Sequence, residues 1–221
     1  MLGPGSTIGM LGSGQLGRMF AFAAHRLGYT VHTFSPDPNS PANQATEKST
    51  KADYTDLTAL GAFVAEVDVV TLEFENIPTS ALEYLSGHVP VHPGANALAI
   101  AQNRLKEKNY LSENGFPVAP FAHVKTEAEF KQAAAEIGVP SVLKTSGFGY
   151  DGKGQIKLNN QDDIDKAWSN LSSDDAVIEK WISYKDEVSI IAARNLQGET
   201  AFYPVIHNTH RNHILDVSIF P

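Results

Sequence analysis

The chain has 221 residues, 42% hydrophobic and 19% charged, with a formal net charge of −8 and no cysteine. Such a composition is that of a globular protein of one large domain or two small ones, and its acidic balance speaks against a broad nucleic-acid or anionic-membrane surface. The lack of cysteine excludes disulfides, a thiolate nucleophile and thiolate metal sites; no apolar run is long enough to span a membrane and no signal pattern opens the chain, so a cytoplasmic protein without membrane partners is expected.

The first half alternates strand and helix signals. Residues 6–11 are a short apolar run. Residues 15–27 carry helical periodicity through Leu16, Met19, Phe20, Ala23 and Leu27, with Gly28 placed to end the helix. A β-branched and aromatic strand follows at 30–34, and Pro36, Pro38 and Pro41 mark a loop. Residues 56–66 read as a helix, 68–72 as a buried strand, 80–85 as a short helix and 89–92 as a further strand. This alternation predicts a Rossmann-like parallel sheet with helices on both faces.

A charged helix at 103–114 ends in Gly115-Phe116-Pro117, a stop signal. The domain boundary is placed near 94–102, giving domains 1–100 and 101–221. Beyond it come helices at 126–137 and 161–171. Strands are expected at 121–124, 141–144, 155–158, 176–180, 187–194, 200–206 and 213–219. The second domain is therefore expected to be α+β with much antiparallel sheet. Because the sequence stops at Pro221 directly after a strand, a fragment of a longer protein is expected.

Four segments carry candidate chemistry. Gly12-Ser13-Gly14-Gln15-Leu16-Gly17 is a GxGxxG between a strand and a helix, the context for phosphate at a helix N-terminus. The acid that a dinucleotide fold needs at the end of the second strand is replaced by Ser35, with Asp37 two residues on. That weakens an NAD reading and leaves a mononucleotide, a phosphosugar or a tight packing turn. Glu73-Phe74-Glu75-Asn76 follows a strand, where open sheets bind ligands and a carboxylate can accept from ribose hydroxyls; a solvated acidic loop is the alternative.

Lys144–Gln155 (KTSGFGYDGKGQ) holds glycines at 147, 149, 152 and 154. Gly147, Gly152 and Lys153 fit GxxxxGK, but Gly154 stands where a P-loop needs Ser or Thr for magnesium. The flanking segments read as strands, so a phosphate-covering loop between two strands is the better description. Glu179-Lys180-Trp181-Ile182 ends an apolar strand whose backbone could meet an adenine edge, with Glu187 beginning the next strand; an ordinary strand and loop would look the same. His207, His210 and His213 lie in a segment read as a loop between strands, without a carboxylate at zinc spacing. No serine-nucleophile elbow, zincin or EF-hand pattern occurs.

Taken in order, GSGQLGRM (12–19), Glu73-Phe74-Glu75-Asn76, Arg104 in NRLKEK, KTSGFGYDGKGQ, the Glu179 and Glu187 pair and FYPVIHNTH (202–210) resemble the 5-(carboxyamino)imidazole ribonucleotide synthetase family of ATP-grasp enzymes over essentially the whole chain. The resemblance implies a pre-ATP-grasp Rossmann-like domain and an incomplete ATP-grasp domain with a small lid subdomain at about 118–182. It implies ATP-dependent carboxylation of 5-aminoimidazole ribonucleotide with bicarbonate, through carboxyphosphate, by a homodimer in purine biosynthesis. Arg104 and Lys144 would contact the nucleotide phosphates. Gly149, Tyr150, Asp151, Gly152, Lys153, Gly154 and Gln155 would form the lid, with Lys144, Tyr150, Asp151 and Lys153 nearest the chemistry. Glu179, Lys180, Trp181 and Ile182 would form the adenine hinge, Glu187 would take the ribose, and His210 would be a further nucleotide contact. Gly14, Gln15, Leu16, Glu73 and Asn76, with Tyr150 and Asp151, would hold the aminoimidazole ribonucleotide. The family's magnesium ligands and the basic residues for the substrate phosphate would lie beyond Pro221, so this chain alone is expected to be inactive. An oxidoreductase, a glycinamide ribonucleotide or biotin carboxylase type of ATP-grasp enzyme, and a non-catalytic nucleotide-binding fragment are the competing readings.

Overall fold

The structure is a computed structural model that describes residues 2–147, 154–211 and 214–220. The chain divides into two compact units, Met1–Tyr110 and Leu111–Pro221.

The first unit contains β1 (Thr7–Leu11), α1 (Gln15–Arg26), β2 (Thr30–Ser35), β3 (Lys48–Lys51), α2 (Leu57–Val64), β4 (Val69–Leu72), α3 (Thr79–Ser86) and α4 (Ala95–Ala101). Helix α5 (Arg104–Glu113) carries the chain from one unit to the next. Its four strands are all parallel, in the order β3-β2-β1-β4. The two-residue period of β1 dictates the layering. Ile8 and Met10 pack with Ala21 and Ala24 of α1, whereas Leu11 packs with Phe34, Leu60, Phe63, Val70 and Leu82 on the α2 and α3 side. Gly9 falls on that second face, where an added Cβ would lie 2.7 Å from Phe63 Cζ, so it makes room for the ring.

Three local features differ from the sequence expectation. Lys48–Lys51 (KSTK) is an edge strand without apolar alternation, so it carries no strand signal. Residues 89–92 contribute only a parallel bridge, Val70 to Val91. Residues 95–101, for which no element is expected, form helix α4. Gly28 has φ +84, the left-handed conformation expected after α1.

The second unit begins with β5 (Phe121–Val124), α6 (Glu127–Ile137), β6 (Ser141–Thr145), β7 (Gln155–Leu158), α7 (Gln161–Asn170) and β8 (Ala176–Lys180). These strands form an antiparallel sheet, β5-β8-β6-β7, with α6 and α7 on one face over Val124, Phe130, Leu143, Leu158, Ile164 and Ile178. There follow β9 (Glu187–Ser189), β10 (Ala192–Arg194), β11 (Thr200–Phe202), β12 (Ile206–Arg211) and β13 (Ile214–Ile219). The single strand expected at 187–194 is two strands: β9 joins β12 and β13, and β10 pairs with β11. The histidine segment expected as a loop is the central strand β12 of the order β13-β12-β9. Its Asn and Arg residues hide the strand signal, but Asn208 is buried and bridges its neighbours, donating to Ser189 Oγ at 2.9 Å and accepting from Ser218 Oγ at 2.9 Å.

Candidate active site

In the second unit, strand parity separates a core face from a polar one. Leu143 and Ile178 face α6 and α7, which sends Val142, Lys144, Val177 and Glu179 to the opposite face. Val142 is paired with Glu179, and Lys144 with Val177. Lys144 and Glu179 are thus diagonal neighbours on one face, and Lys144 Nζ forms an ion pair with Glu179 Oε1. Their side chains are 22% and 9% exposed. A carboxylate so deeply placed needs a cationic partner.

The pair lines a cleft of about 200 Å³ whose walls include Ala119, Val142, Gln155, Trp181 and Ile182. Apolar walls with one ammonium group suit a flat heterocycle carrying an anionic tail. At the end of β8 the Trp181 N–H donates to the Pro140 carbonyl at 3.1 Å. The Trp181 ring lies under the Lys157 ammonium, 3.9 Å from its centroid. Lys180 turns its ammonium away, donating to the Ile137 and Val139 carbonyls at 3.3 Å each, where the end of α6 offers free acceptors. Only its main chain and stem are left for the cleft.

The glycine-rich loop joins β6 to β7, with Lys144 opposite Gln155. A strand–loop–strand hairpin is incompatible with a P-loop, which opens a helix. Its root is closed by Thr145 N–H donating to the Gly154 carbonyl at 2.9 Å. Gly154 has φ +70, and a Cβ there would lie 2.8 Å from Thr145 Oγ1. Ser146 and Asp175 were not singled out in the sequence, yet they brace this root. Ser146 donates from its hydroxyl to Asp175 Oδ1 at 2.7 Å and from its N–H to the Asp175 carbonyl at 3.0 Å. His123 Nε2 lies 2.8 Å from the same Oδ1. The Ser146 hydroxyl first, then His123, hold the Asp175 carboxyl below the usual carboxylate range. Gly149, Tyr150, Asp151, Gly152, Lys153 and His213 lie outside the described residues.

On β9 and β12, Glu187 and His210 come together: His210 Nδ1 is 3.2 Å from Glu187 Oε2, and the Tyr184 hydroxyl donates to the same oxygen at 3.4 Å. His207 pairs separately with Asp186 at 3.1 Å. Among the described residues no group of three His, Asp or Glu is placed to hold a metal.

In the first unit, Glu73 emerges from the end of β4 and turns into the loop between β1 and α1. Its carboxylate accepts the Gly14 N–H at 2.7 Å and the Leu16 N–H at 3.1 Å. Glu73, Gly14 and Leu16 are therefore gathered; Gln15 and Asn76 are exposed, and Leu16 is 61% exposed. Gln102, not anticipated from sequence, holds the adjoining turn by donating to the Glu75 and Ile77 carbonyls at 2.6 Å each. Ser13, Ser35, Ser40, Tyr54 and Glu73 border a second cavity of about 270 Å³. Burial pushes the Tyr54 phenol up to about 12, against a hydrogen bond with Ser35. Asp37 is used in a turn, accepting the Asn39 N–H at 3.0 Å while its own N–H donates to Ser35 Oγ at 3.0 Å. Arg104 opens α5.

The Lys144–Glu179 cleft of the second unit and the carboxylate-filled glycine loop on the parallel sheet of the first each fall within a family model. Residues 5–102 match the ribonucleotide synthetase pre-ATP-grasp domain and residues 109–221 the ATP-grasp domain. The chain belongs to the ATP-grasp family. It is 43% identical over 212 residues to the N5-carboxyaminoimidazole ribonucleotide synthase of Pseudomonas aeruginosa, covering 96% of this chain and 59% of that protein. The ADP complex of an N5-carboxyaminoimidazole ribonucleotide synthetase superposes with a TM-score of 0.92 at 42% identity, covering 97% of this chain and 57% of that one. The Aspergillus clavatus enzyme, in complex with ADP and 5-aminoimidazole ribonucleotide, superposes with a TM-score of 0.85 at 29% identity, covering 97% and 56%. The chain thus spans less than two thirds of the length of these relatives.

Proposed function

We propose that the chain carries the nucleotide cleft and the ribonucleotide-substrate loop of an ATP-dependent carbon–nitrogen ligase that makes N5-carboxyaminoimidazole ribonucleotide. The observation that carries this reading is Lys144, set on the cleft face of β6 at the root of the glycine-rich hairpin and paired with Glu179 on β8. The likeness to a relative described as an ADP complex supports it.

In the proposed reaction a bicarbonate oxygen attacks the γ-phosphorus of ATP and ADP leaves, giving carboxyphosphate. The exocyclic amine of 5-aminoimidazole ribonucleotide then attacks the carboxyl carbon, or the CO2 it releases; phosphate leaves and the amine gives up a proton. Such chemistry needs positioning and charge neutralisation rather than a protein nucleophile. Lys144 and Arg104 supply positive charge for the phosphates. The segment Glu179, Lys180, Trp181 and Ile182 borders the adenine. Glu187, oriented by His210 and Tyr184, accepts from the ribose hydroxyls. By the resemblance, Gly149–Gln155 would be the lid over the phosphates, Tyr150 and Asp151 would also contact the second substrate and Lys153 the nucleotide; shielding from water preserves carboxyphosphate. Gly14, Gln15, Leu16, Glu73 and Asn76 receive the aminoimidazole ribonucleotide. Magnesium belongs to the proposal by the resemblance; among the described residues no group of three His, Asp or Glu is placed to hold it. A homodimer belongs to the same proposal by the resemblance alone, and a cytoplasmic location by the sequence expectation above.

Phosphate release by the protein extended to the length of its relatives tests the reading. Turnover of ATP should require bicarbonate and rise with 5-aminoimidazole ribonucleotide. Stimulation by glycinamide ribonucleotide or biotin instead would overturn it.

A further inference from the structure

We propose that Asp175 is a positioning residue for the nucleotide: acting through Ser146, it fixes the root of the glycine-rich hairpin and, with it, the strand end that carries Lys144. The inference rests on the reading of the second unit's cleft as a nucleotide site.

The antiparallel register puts this group beside the cleft. Lys144 pairs with Val177, so its diagonal neighbours toward β8 are Glu179 and Asp175. Both are carboxylates. Glu179 takes the Lys144 ammonium. Asp175 turns to Ser146, two residues on from Lys144 and on the same face. The ladder runs one step past the paired strands: Thr145 stands opposite Ala176, and the Ser146 N–H then donates to the Asp175 carbonyl at 3.0 Å. Ser146 is 1% exposed, and a buried hydroxyl without an acceptor is costly. Asp175 Oδ1 accepts it at 2.7 Å. Residue 146 is therefore pinned by main chain and side chain at once. Thr145 closes the other side of the root, its N–H donating to the Gly154 carbonyl at 2.9 Å and its hydroxyl to the Gly147 carbonyl at 3.0 Å.

Asp175 can act as the fixed point because it is itself held from two further directions. Its N–H donates to Ser173 Oγ at 3.1 Å, and the Ser173 hydroxyl donates to its carbonyl at 3.2 Å. His123, opposite Val177 on β5, brings Nε2 to 2.8 Å from Oδ1. One carboxylate oxygen thus ties β5 and the head of β8 to the end of β6. A serine, a histidine and an aspartate meet here without forming a nucleophile relay. Both side chains address the same carboxylate oxygen, so the carboxylate and not the imidazole faces the hydroxyl. The cluster holds rather than reacts. Phosphoryl transfer depends on positioning, and a small displacement of a group that orients the substrate is costly.

The test is calorimetric ADP titration of the protein extended to the length of its relatives, as wild type and as Asp175→Ala, Ser146→Ala and the double variant, each below its melting midpoint. Amide hydrogen exchange is followed in parallel at Thr145 and Val177. Each single substitution should weaken ADP binding about tenfold. The double variant should lose no more than either single one, because both remove the same link. The Thr145 amide should exchange faster in every variant, while Val177, inside the same sheet, keeps its protection. Asp175→Asn retains an acceptor for the Ser146 hydroxyl, guards against loss of fold, and should recover most of the affinity. Unchanged ADP affinity in the variants, additive losses in the double variant, or loss of protection at Val177 together with Thr145 would overturn the positioning role and leave the nucleotide reading standing. A wild type that does not bind ADP would overturn the nucleotide reading and this inference with it.

Discussion

Replacing Lys144 with alanine should cost stability and nucleotide affinity through two separable routes. Glu179 is 9% exposed in its side chain, and Lys144 is 22% exposed. Removing one partner of a buried pair costs about 3–5 kcal/mol because the remaining charge loses compensation. The partial exposure of Lys144 gives water some access to the carboxylate, so the lower end, about 3 kcal/mol, is expected. For a unit of this size that corresponds to roughly 13 °C in the melting midpoint. The lost contact with a phosphate is worth about 1.5–3 kcal/mol, or roughly 10- to 150-fold in ADP affinity. Adding Glu179→Gln to Lys144→Ala removes the buried charge, so most of the stability should return while ADP binding stays weak. Differential scanning calorimetry and calorimetric ADP titration on the wild type, both single variants and the double variant measure the two terms. A Lys144→Ala protein that melts like the wild type, or a double variant that recovers ADP binding, would refute the reasoning.

Gly9→Ala should destabilise by about 1–3 kcal/mol, read as a lower urea midpoint, because the new methyl is driven into the buried Phe63 ring; an unchanged midpoint would show that the ring can yield. His32 is buried against Phe63, and burial lowers its pKa from 6.5, with Glu66 opposing. The unfolded chain therefore binds this proton more readily, so the contribution is full above about pH 6.5 and is lost as the pH falls below it. Urea midpoints at neutral and mildly acid pH should diverge more for wild type than for His32→Gln. Asp56→Ala removes the acceptor for the Thr58 and Ala59 N–H groups at the start of α2, both at 3.0 Å, and should cost about 1 kcal/mol in the same assay.

What the sequence makes legible is what period and punctuation encode. The alternation in SVLKT and AVIEK predicts strands at 141–144 and 176–180, and the same parity places Lys144 and Glu179 opposite the helices. Elements without an apolar period escape notice. Lys48–Lys51 is a polar edge strand, held by its register with β2 rather than by burial. Strand β12 buries Asn208 through a ladder with Ser189 and Ser218, partners 19 and 10 residues away. Side-chain direction at the end of an element is equally silent: nothing in EKWI announces that the Lys180 ammonium caps α6 instead of facing the cleft.

The glycine loop marks the limit most clearly. Its local pattern specifies a tight turn with room and N–H donors for an anion, and that much is correct. Which anion fills the room depends on residue 73, 59 positions beyond Gly14, delivered by a strand that pairs with β1 on the far side from β2. A GxGxxG motif and a strand-end glutamate each have a bland reading when taken singly. Their meeting distance of 2.7 Å changes both: the motif's first N–H donor is met by a carboxylate, and the glutamate stops being a solvated acid. The charge that stabilises the helix N-terminus is thus supplied from within the chain.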